Sequence, residues 1–391
     1  MHDGRGRRPP HVAGVHLDVL RVRPRLRLPH RTARRARGAP AGVATSPGGA
    51  GIRRARRHLV RRLPDRLTRR VAADRHHRRR PVGRRPRRAG APGPGHPGAV
   101  RGAAVTADGP LGAVEVVDAG PLSTLQDRGR QGWAHLGVPR AGALDRGAAA
   151  LARRLVGGGP DDAVIETTVG GVVLRPHRAV TLAVTGATCA VRVDGRAVAH
   201  GAPATVPAGA LVSVGPAVTG VRSYVALAGG IAVAPVLGSR STDTLAWVGP
   251  PRLAAGDLLV LGPTGQLPEP PPAVVVRPRE PVLRLRRGPR ADWLDRTGWS
   301  RLDGASYAVA PDSDRIGLRL TGPRLERRSG ELASEGIVLG AVQLPPSGQP
   351  VVFLADHPTT GGYPVVAVVE DDDLDLCAQL RPGDEVLLRL V

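Results

Sequence analysis

The sequence predicts a mainly β protein: two barrel-type subdomains in tandem with a few short helices, behind a disordered Arg/Pro-rich tail. Three observations carry this reading. From residue 113 onward, short apolar runs alternate with tight turn signals. That spacing belongs to a barrel or sandwich, not to a parallel sheet wound with helices. Two of these runs end alike, LAAGDLLVL at 253–261 and LRPGDEVLLRL at 380–390, which hints at two similar barrels. The charge lies on one side of the chain. Residues 1–105 hold 29 Arg against four Asp, whereas residues 106–391 hold 28 Arg against 29 acids.

The tail, set at 1–112, has no apolar face at strand or helix period and cannot bury enough surface to offset its ordering entropy. Such a segment is a polyanion-binding arm, an inert linker, or GC-rich DNA read in the wrong frame ahead of the true start. The expectation is the last, so the tail falls outside the true protein. The remaining body is near neutral, and neither nucleic acid nor a membrane is expected as its partner. Its longest uncharged apolar run, Ser223 to Ser239, contains Gly229-Gly230 and Pro235 and is shorter than the roughly 20 residues a spanning helix needs. Cys189 and Cys377 are far apart and no C-x-x-C exists, so no zinc site is expected. A reducing cytoplasm is the default.

The chain contains no Lys. A Schiff base, a biotin attached to this chain and a Walker-type phosphate loop are therefore excluded.

In order, AVEVVDAG at 113–120 reads as a strand. A polar loop follows to residue 145, carrying Gln126, Asp127, Arg128, His135, Arg140 and Asp145. Leu144, Ala148, Leu151 and Leu155 fall at helical spacing, with Asp145 as a first-turn acid and Gly157–Gly159 as the stop. Val164 to Thr168 is a strand holding Glu166. VRVDGRAV centres on Asp194-Gly195, a strong two-residue hairpin signal. The first subdomain is expected over 113–267 and a Pro-rich linker over 268–281. The second subdomain, 282–391, opens on a strand and a helical piece around Asp292 to Asp295. It closes on a short helix, a Pro-Gly turn and a last strand. Its densest stretch is 331–364, ELASEGIVLGAVQLPPSGQPVVFLADHPTTGGYP. Strands are expected there over 337–344 and 351–354, joined by a turn at Pro345–Gly348.

There is no G-x-S-x-G and no H-E-x-x-H, so any chemistry must be gathered from several loops. His135 is a candidate acid or base, although a lone His is more often structural. Glu166 sits between apolar neighbours, where a carboxylate must be exposed, paired or functional. Arg240 and Ser241 could hold an anion, or form a solvated turn. Asp314 and Arg315 could simply pair with neighbours. Glu335 follows Glu331 at a spacing unfavourable on a helix, which a loop or a raised pKa would explain. Asp356, with Thr359, Thr360, Gly361, Gly362 and Tyr363, forms a loop suited to an oxyanion or small polar ligand, or a plain tight turn. Gln343 precedes it on the strand.

Taken together, GPLSTLQDRGRQGWAHLGVPRAGALD, LGSRST, SDRIGLRLTGPRL, ELASEGIVLGAVQLPPSGQPVVFLAD and TTGGYP, in this order, resemble the family of 5-oxoprolinase C subunits. That family is also described as biotin-dependent carboxyltransferase-like or allophanate hydrolase subunit 2-like. The resemblance covers about 113–391. Ala141, Arg153, Leu339 and His357 depart from its usual residues, and the missing hydroxyl at 141 weakens any nucleophile in that loop.

The resemblance implies cyclophilin-like barrels similar to carboxyltransferase subdomains A and B of urea carboxylase. It implies one component of an ATP-dependent complex that hydrolyses 5-oxo-L-proline to L-glutamate. ATP with Mg would be used in that complex, a B-type partner protein would share a cleft, and an A-type partner protein would complete it. Within that frame Glu166, Glu335, His135 and Asp356 are the catalytic candidates. Arg240, Ser241, Asp314, Arg315, Gln343, Thr359, Thr360, Gly361, Gly362 and Tyr363 are the candidates for substrate or phosphate binding, with no metal site on this chain. Two other classes stay open: a carboxyltransferase component of a biotin-dependent enzyme acting on a small amide, and a non-enzymatic antagonist of a kinase inhibitor.

Overall fold

The computed structural model describes residues 112–264 and 280–391, all within one compact unit. The expected tail (1–112), apart from Gly112, and the expected linker (268–281), apart from Glu280 and Pro281, lie outside the described residues.

The fold is mainly β, as the sequence predicts. Residues 113–260 form two facing antiparallel sheets. The first has six strands in the order Leu258–Val260, Ala113–Asp118, Val172–Pro176, Val212–Val214, Val191–Val193 and Arg196–Val198. The second has five, in the order Ser123–Gln126, Val164–Thr168, Thr219–Leu227, Val180–Thr188 and Pro203–Val206. Val114, Val116, Leu174, Leu182, Val225 and Leu227 fill the space between them. The last two strands of the first sheet form the expected hairpin. Asp194 (φ 47°) and Gly195 (φ 78°) both take the left-handed conformation that a tight right-twisted hairpin needs.

The strand Thr219–Leu227 is buried on both faces, because helix α1 (Arg146–Leu155) covers the outer one. Val225 and Leu227 point between the sheets, while Tyr224 and Ala226 pack with Ala149, Ala152 and Leu155 of the helix. This is the two-fold alternation of a strand meeting the 3.6-residue period of a helix. Asp145 caps α1 by accepting a hydrogen bond from Ala148 N at 2.8 Å.

Residues 282–390 form a closed seven-stranded barrel. Its order is Val282–Arg287, Val365–Val369, Ala341–Gln343, Val351–Phe353, Gly317–Thr321, Ala305–Val309 and Glu385–Leu390. The parallel pairing of the first and last strands closes it. Inward and outward residues alternate: Leu283 and Leu285 are buried, while Arg284 and Arg286 face outward. The helical piece expected around Asp292 is a short turn at Ala291–Trp293 followed by helix α2 (Arg296–Leu302), capped by Asp295.

The continuous strand expected over 337–344 is not formed. Gly340 (φ 81°) turns the chain. Ala341–Gln343 joins the barrel, and Glu335–Gly336 instead pairs with Thr360–Gly361 in a separate two-stranded ladder. The turn at Pro345–Gly348 is present, closed by Gly348 N donating to Pro345 O at 3.0 Å.

Candidate functional site

The two halves meet on a buried polar joint, and a cleft lies beside it. The joint starts with Arg315, in the turn before strand Gly317–Thr321. Its guanidinium is 2% exposed, and the carboxylates of Glu166 and Asp356 are fully buried against it. Nε and Nη2 donate to Asp356 at 2.9 and 3.0 Å, Nη1 to Glu166, and Nη2 also to Gly142 O at 2.8 Å. Glu166 further accepts from Leu144 N at 3.0 Å and Tyr224 Oη at 2.9 Å. Asp356 accepts from Thr244 N and Oγ1 at 2.9 and 2.6 Å. Burial alone would discharge Arg315, but the two carboxylates dominate and raise its pKa. Arg222 approaches Glu166 at 3.6 Å and donates to Ala378 O of the barrel at 2.6 Å.

Gln379 and helix α3 (Leu374–Cys377) extend this joint. Gln379 Oε1 accepts from Val221 N and Arg222 N, and Nε2 donates to Asp145 at 2.8 Å. The Asp375 carboxylate accepts from Arg146 N and Gly147 N at 3.0 and 3.1 Å. A barrel residue thus satisfies two of the free N–H groups that begin α1. Burial raises the Asp145 pKa to about 6, against the opposing hydrogen bonds from Gln379 and Ala148.

The cleft is made of two cavities of about 430 and 370 Å3, which share Gln131, Arg140, Leu339 and Leu374. The larger carries five arginines, Arg128, Arg140, Arg146, Arg153 and Arg154, against one acid, Asp127. Its floor includes Ala141 and Ala355, which join the halves through Ala141 N donating to Ala355 O at 3.0 Å. Asp127 is occupied internally. Ser239 and Ser241 hydroxyls donate to it at 2.6 Å, Gly129 N at 2.8 Å, and Arg240 N to its other oxygen. Although burial pulls the other way, these bonds hold its pKa below the usual carboxylate range. Burial, together with the nearby Arg146 and Arg128, lowers the Arg140 pKa; Asp371 opposes it.

The smaller cavity is lined by Arg130, His357 and Thr359 among others. His357 Nδ1 lies 2.7 Å from Pro358 O, an acceptor only, so Nδ1 carries the proton. Burial and Arg140 lower its pKa, which keeps the imidazole neutral near pH 7. Behind Arg130, Gln126 Oε1, Thr242 Oγ1 and Asp243 Oδ2 are buried without a protein partner, as is Arg130 Nη1.

The structure therefore brings Glu166, Arg315 and Asp356 together, but as a sealed and mutually satisfied cluster. Arg240 and Ser241 meet Asp127. Ser241 Oγ is spent on that carboxylate, and the Arg240 guanidinium donates to Val233 O and Asp161 O at 3.0 and 3.2 Å. Asp314 closes its own turn by accepting from Ile316 N and Gly317 N. Glu335 lies in the two-stranded ladder and pairs with Arg290, whose hydrogen bond lowers its pKa. Thr360 and Gly361 form the other strand of that ladder; Gln343 Nε2 donates to Tyr363 O at 2.9 Å and steadies the loop through Gly362. Tyr363 is exposed. Thr359 faces the smaller cavity. His135 is exposed, stacked on Trp133 and bonded to Gly132 O, away from the joint. The sequence reading passed over the cleft arginines as a site. Arg153, near the end of α1, is buried in the fold although nothing local in the sequence marks it.

A profile of the carboxyltransferase domain, subdomain A and B, matches residues 136–390. The chain is 34% identical to the C subunit of Escherichia coli 5-oxoprolinase over 277 residues, covering 70% of this chain and 89% of the relative. The crystal structure of TTHA0988 superposes with a TM-score of 0.66 at 36% identity, over 73% of this chain and 57% of the other. Kluyveromyces lactis urea carboxylase superposes with a TM-score of 0.65 at 29% identity, over 71% of this chain and 27% of the enzyme. The chain thus spans little more than half of TTHA0988 and about a quarter of the urea carboxylase.

Proposed function

The chain belongs to the carboxyltransferase subdomain A and B family, and from that premise we propose that it is the C-type component of an ATP-dependent 5-oxoprolinase complex. The complex would hydrolyse 5-oxo-L-proline to L-glutamate together with A-type and B-type partner proteins. The observation that carries this reading is the arginine-lined cleft between the two halves, which suits an anionic lactam and a phosphoryl group.

An unstrained lactam is a poor electrophile, so ATP has a chemical task. Phosphoryl transfer to the amide oxygen releases ADP and makes the ring carbon attackable by water. The C–N bond then breaks, the nitrogen leaves as the amine, and a second water releases phosphate and glutamate. Cleft arginines would meet the phosphoryl oxygens. Mg would accompany ATP in the complex, held largely by the nucleotide phosphates. His357, neutral and on the cavity wall, is assigned to take a proton from the attacking water. Glu166, Asp356 and Arg315 hold the floor in position instead of touching substrate. Glutamate release from 5-oxo-L-proline and ATP, measured with the full chain and its A-type and B-type partners and with each omitted in turn, tests the reading. Release that needs all three supports it, and release without this chain sinks it.

The likeness to urea carboxylase favours one second reading, a carboxyltransferase component acting on a small amide. Biotin would then arrive on another chain, since this one has no Lys.

A further inference from the structure

We infer that the cleft carries an oxyanion subsite built on Arg140 and Arg153. The wall of the larger cavity is unbalanced, with five guanidinium groups facing one carboxylate. That carboxylate, Asp127, already receives four hydrogen bonds and has no reason to turn toward an arginine.

The arginines are not equal. Arg146 is engaged with Asp371 and Asp375 at 2.9 and 3.4 Å. Arg128 is exposed and only within 3.7 Å of Asp161. Arg154 is exposed to solvent at the mouth. Arg140 is half-buried, and among the described residues its guanidinium has no hydrogen bond or ion pair. Arg153 is 5% exposed, and its single bond is a long one, 3.4 Å to Asp162 O. Arg130 lines only the adjoining cavity, donates to the carbonyls of Val236, Ser241 and Val248, and lies near Asp243.

A guanidinium has five donors, and a buried one without an anion is costly. Two such groups on the wall of one cavity, whose one acid, Asp127, is held by four other donors, form a site completed by a ligand. Apart from Gln131, the remaining wall is mainly apolar, with Ala141, Ala143, Leu339, Leu354 and Leu374. The ligand class is therefore a small molecule with an apolar body and one oxyanion, either a carboxylate or a phosphoryl group. This deepens the reading above, but its test uses no turnover.

The test is calorimetric titration of the full chain at low ionic strength with 5-oxo-L-proline, with 2-pyrrolidinone (the same ring without its carboxylate) and with inorganic phosphate. At least one oxyanion binds, and 2-pyrrolidinone binds about tenfold more weakly or worse. Binding of 5-oxo-L-proline without phosphate identifies the substrate carboxylate as the occupant; the reverse identifies the phosphoryl group. Arg140→Gln, at a side chain with no partner to lose, weakens that binding at least about tenfold. Arg192→Gln, at an exposed arginine on the 191–198 hairpin, leaves it unchanged. Failure of both oxyanions to bind, or equal binding by Arg140→Gln, overturns the subsite. Oxyanion binding through Arg140 without glutamate release in the three-component assay would keep the subsite and remove the 5-oxoprolinase reading. Release without Arg140-dependent binding would do the opposite.

Discussion

Arg315 and Glu166 form a buried ion pair across the boundary between the sheet half and the barrel half, 149 residues apart in sequence. Asp356 holds the same guanidinium from the barrel side. Neither carboxylate has water to turn to. Arg315→Met should therefore strip Asp356 of its cation, leave Glu166 only the more distant Arg222, and cost about 3–5 kcal/mol. Denaturant unfolding of the full chain measures this, and a loss below about 1 kcal/mol would show that the pair does not lock the halves.

Asp145 makes the same boundary sensitive to pH. Its folded pKa, about 6, lies above the ordinary value of 3.8. The folded chain thus binds more protons than the unfolded chain between these values, and stability falls as pH rises from about 4 to 6. Asp145→Asn keeps an acceptor for Ala148 N and removes the titration. Unfolding midpoints from pH 4 to 7 should lose part of their downward slope in the variant; an unchanged slope would put the proton elsewhere.

Asp127 is the anchor of the 239–241 loop. Replacing it with Ala strands two buried hydroxyls and two backbone N–H groups, an expected loss of about 2–4 kcal/mol. Ser241→Ala removes one donor and should cost about 1–2 kcal/mol. Thermal unfolding of both variants checks the order, and a Ser241 effect as large as the Asp127 effect would contradict the hub.

Features fixed by local chemistry were legible in the sequence. The Asp145 cap, the Asp194-Gly195 hairpin and the alternating Val282–Arg287 strand each depend on residues a few positions apart. The run 337–344 misled because its apolar residues look continuous. Only the left-handed Gly340, with Val338 turned out to solvent, divides it between a ladder and the barrel. Glu166, Arg315 and Asp356 stand out in the sequence only singly, as polar residues, because their mutual neutralisation depends on how the halves dock. The cleft was hidden for the converse reason. In an arginine-rich chain Arg140 and Arg153 look like solvated surface, and their lack of partners is visible only once the fold gathers the acids elsewhere.

His357 is the cleft residue assigned to water activation. His357→Gln should lower kcat of the reconstituted complex by at least about 100-fold with little change in KM. With the pKa of His357 lowered by burial, wild-type kcat should decline only at a pH below that at which an ordinary imidazole takes up its proton. Steady-state profiles of both proteins decide this, and a variant with unchanged kcat removes His357 from the chemistry.

The most direct measurement is steady-state glutamate release by the three-component complex, made with the wild-type chain and with Arg140→Gln. ATP-dependent release that requires this chain is expected, with kcat/KM for 5-oxo-L-proline at least about tenfold lower with Arg140→Gln. No release from a stably assembled complex, or identical kinetics for the two chains, would contradict it.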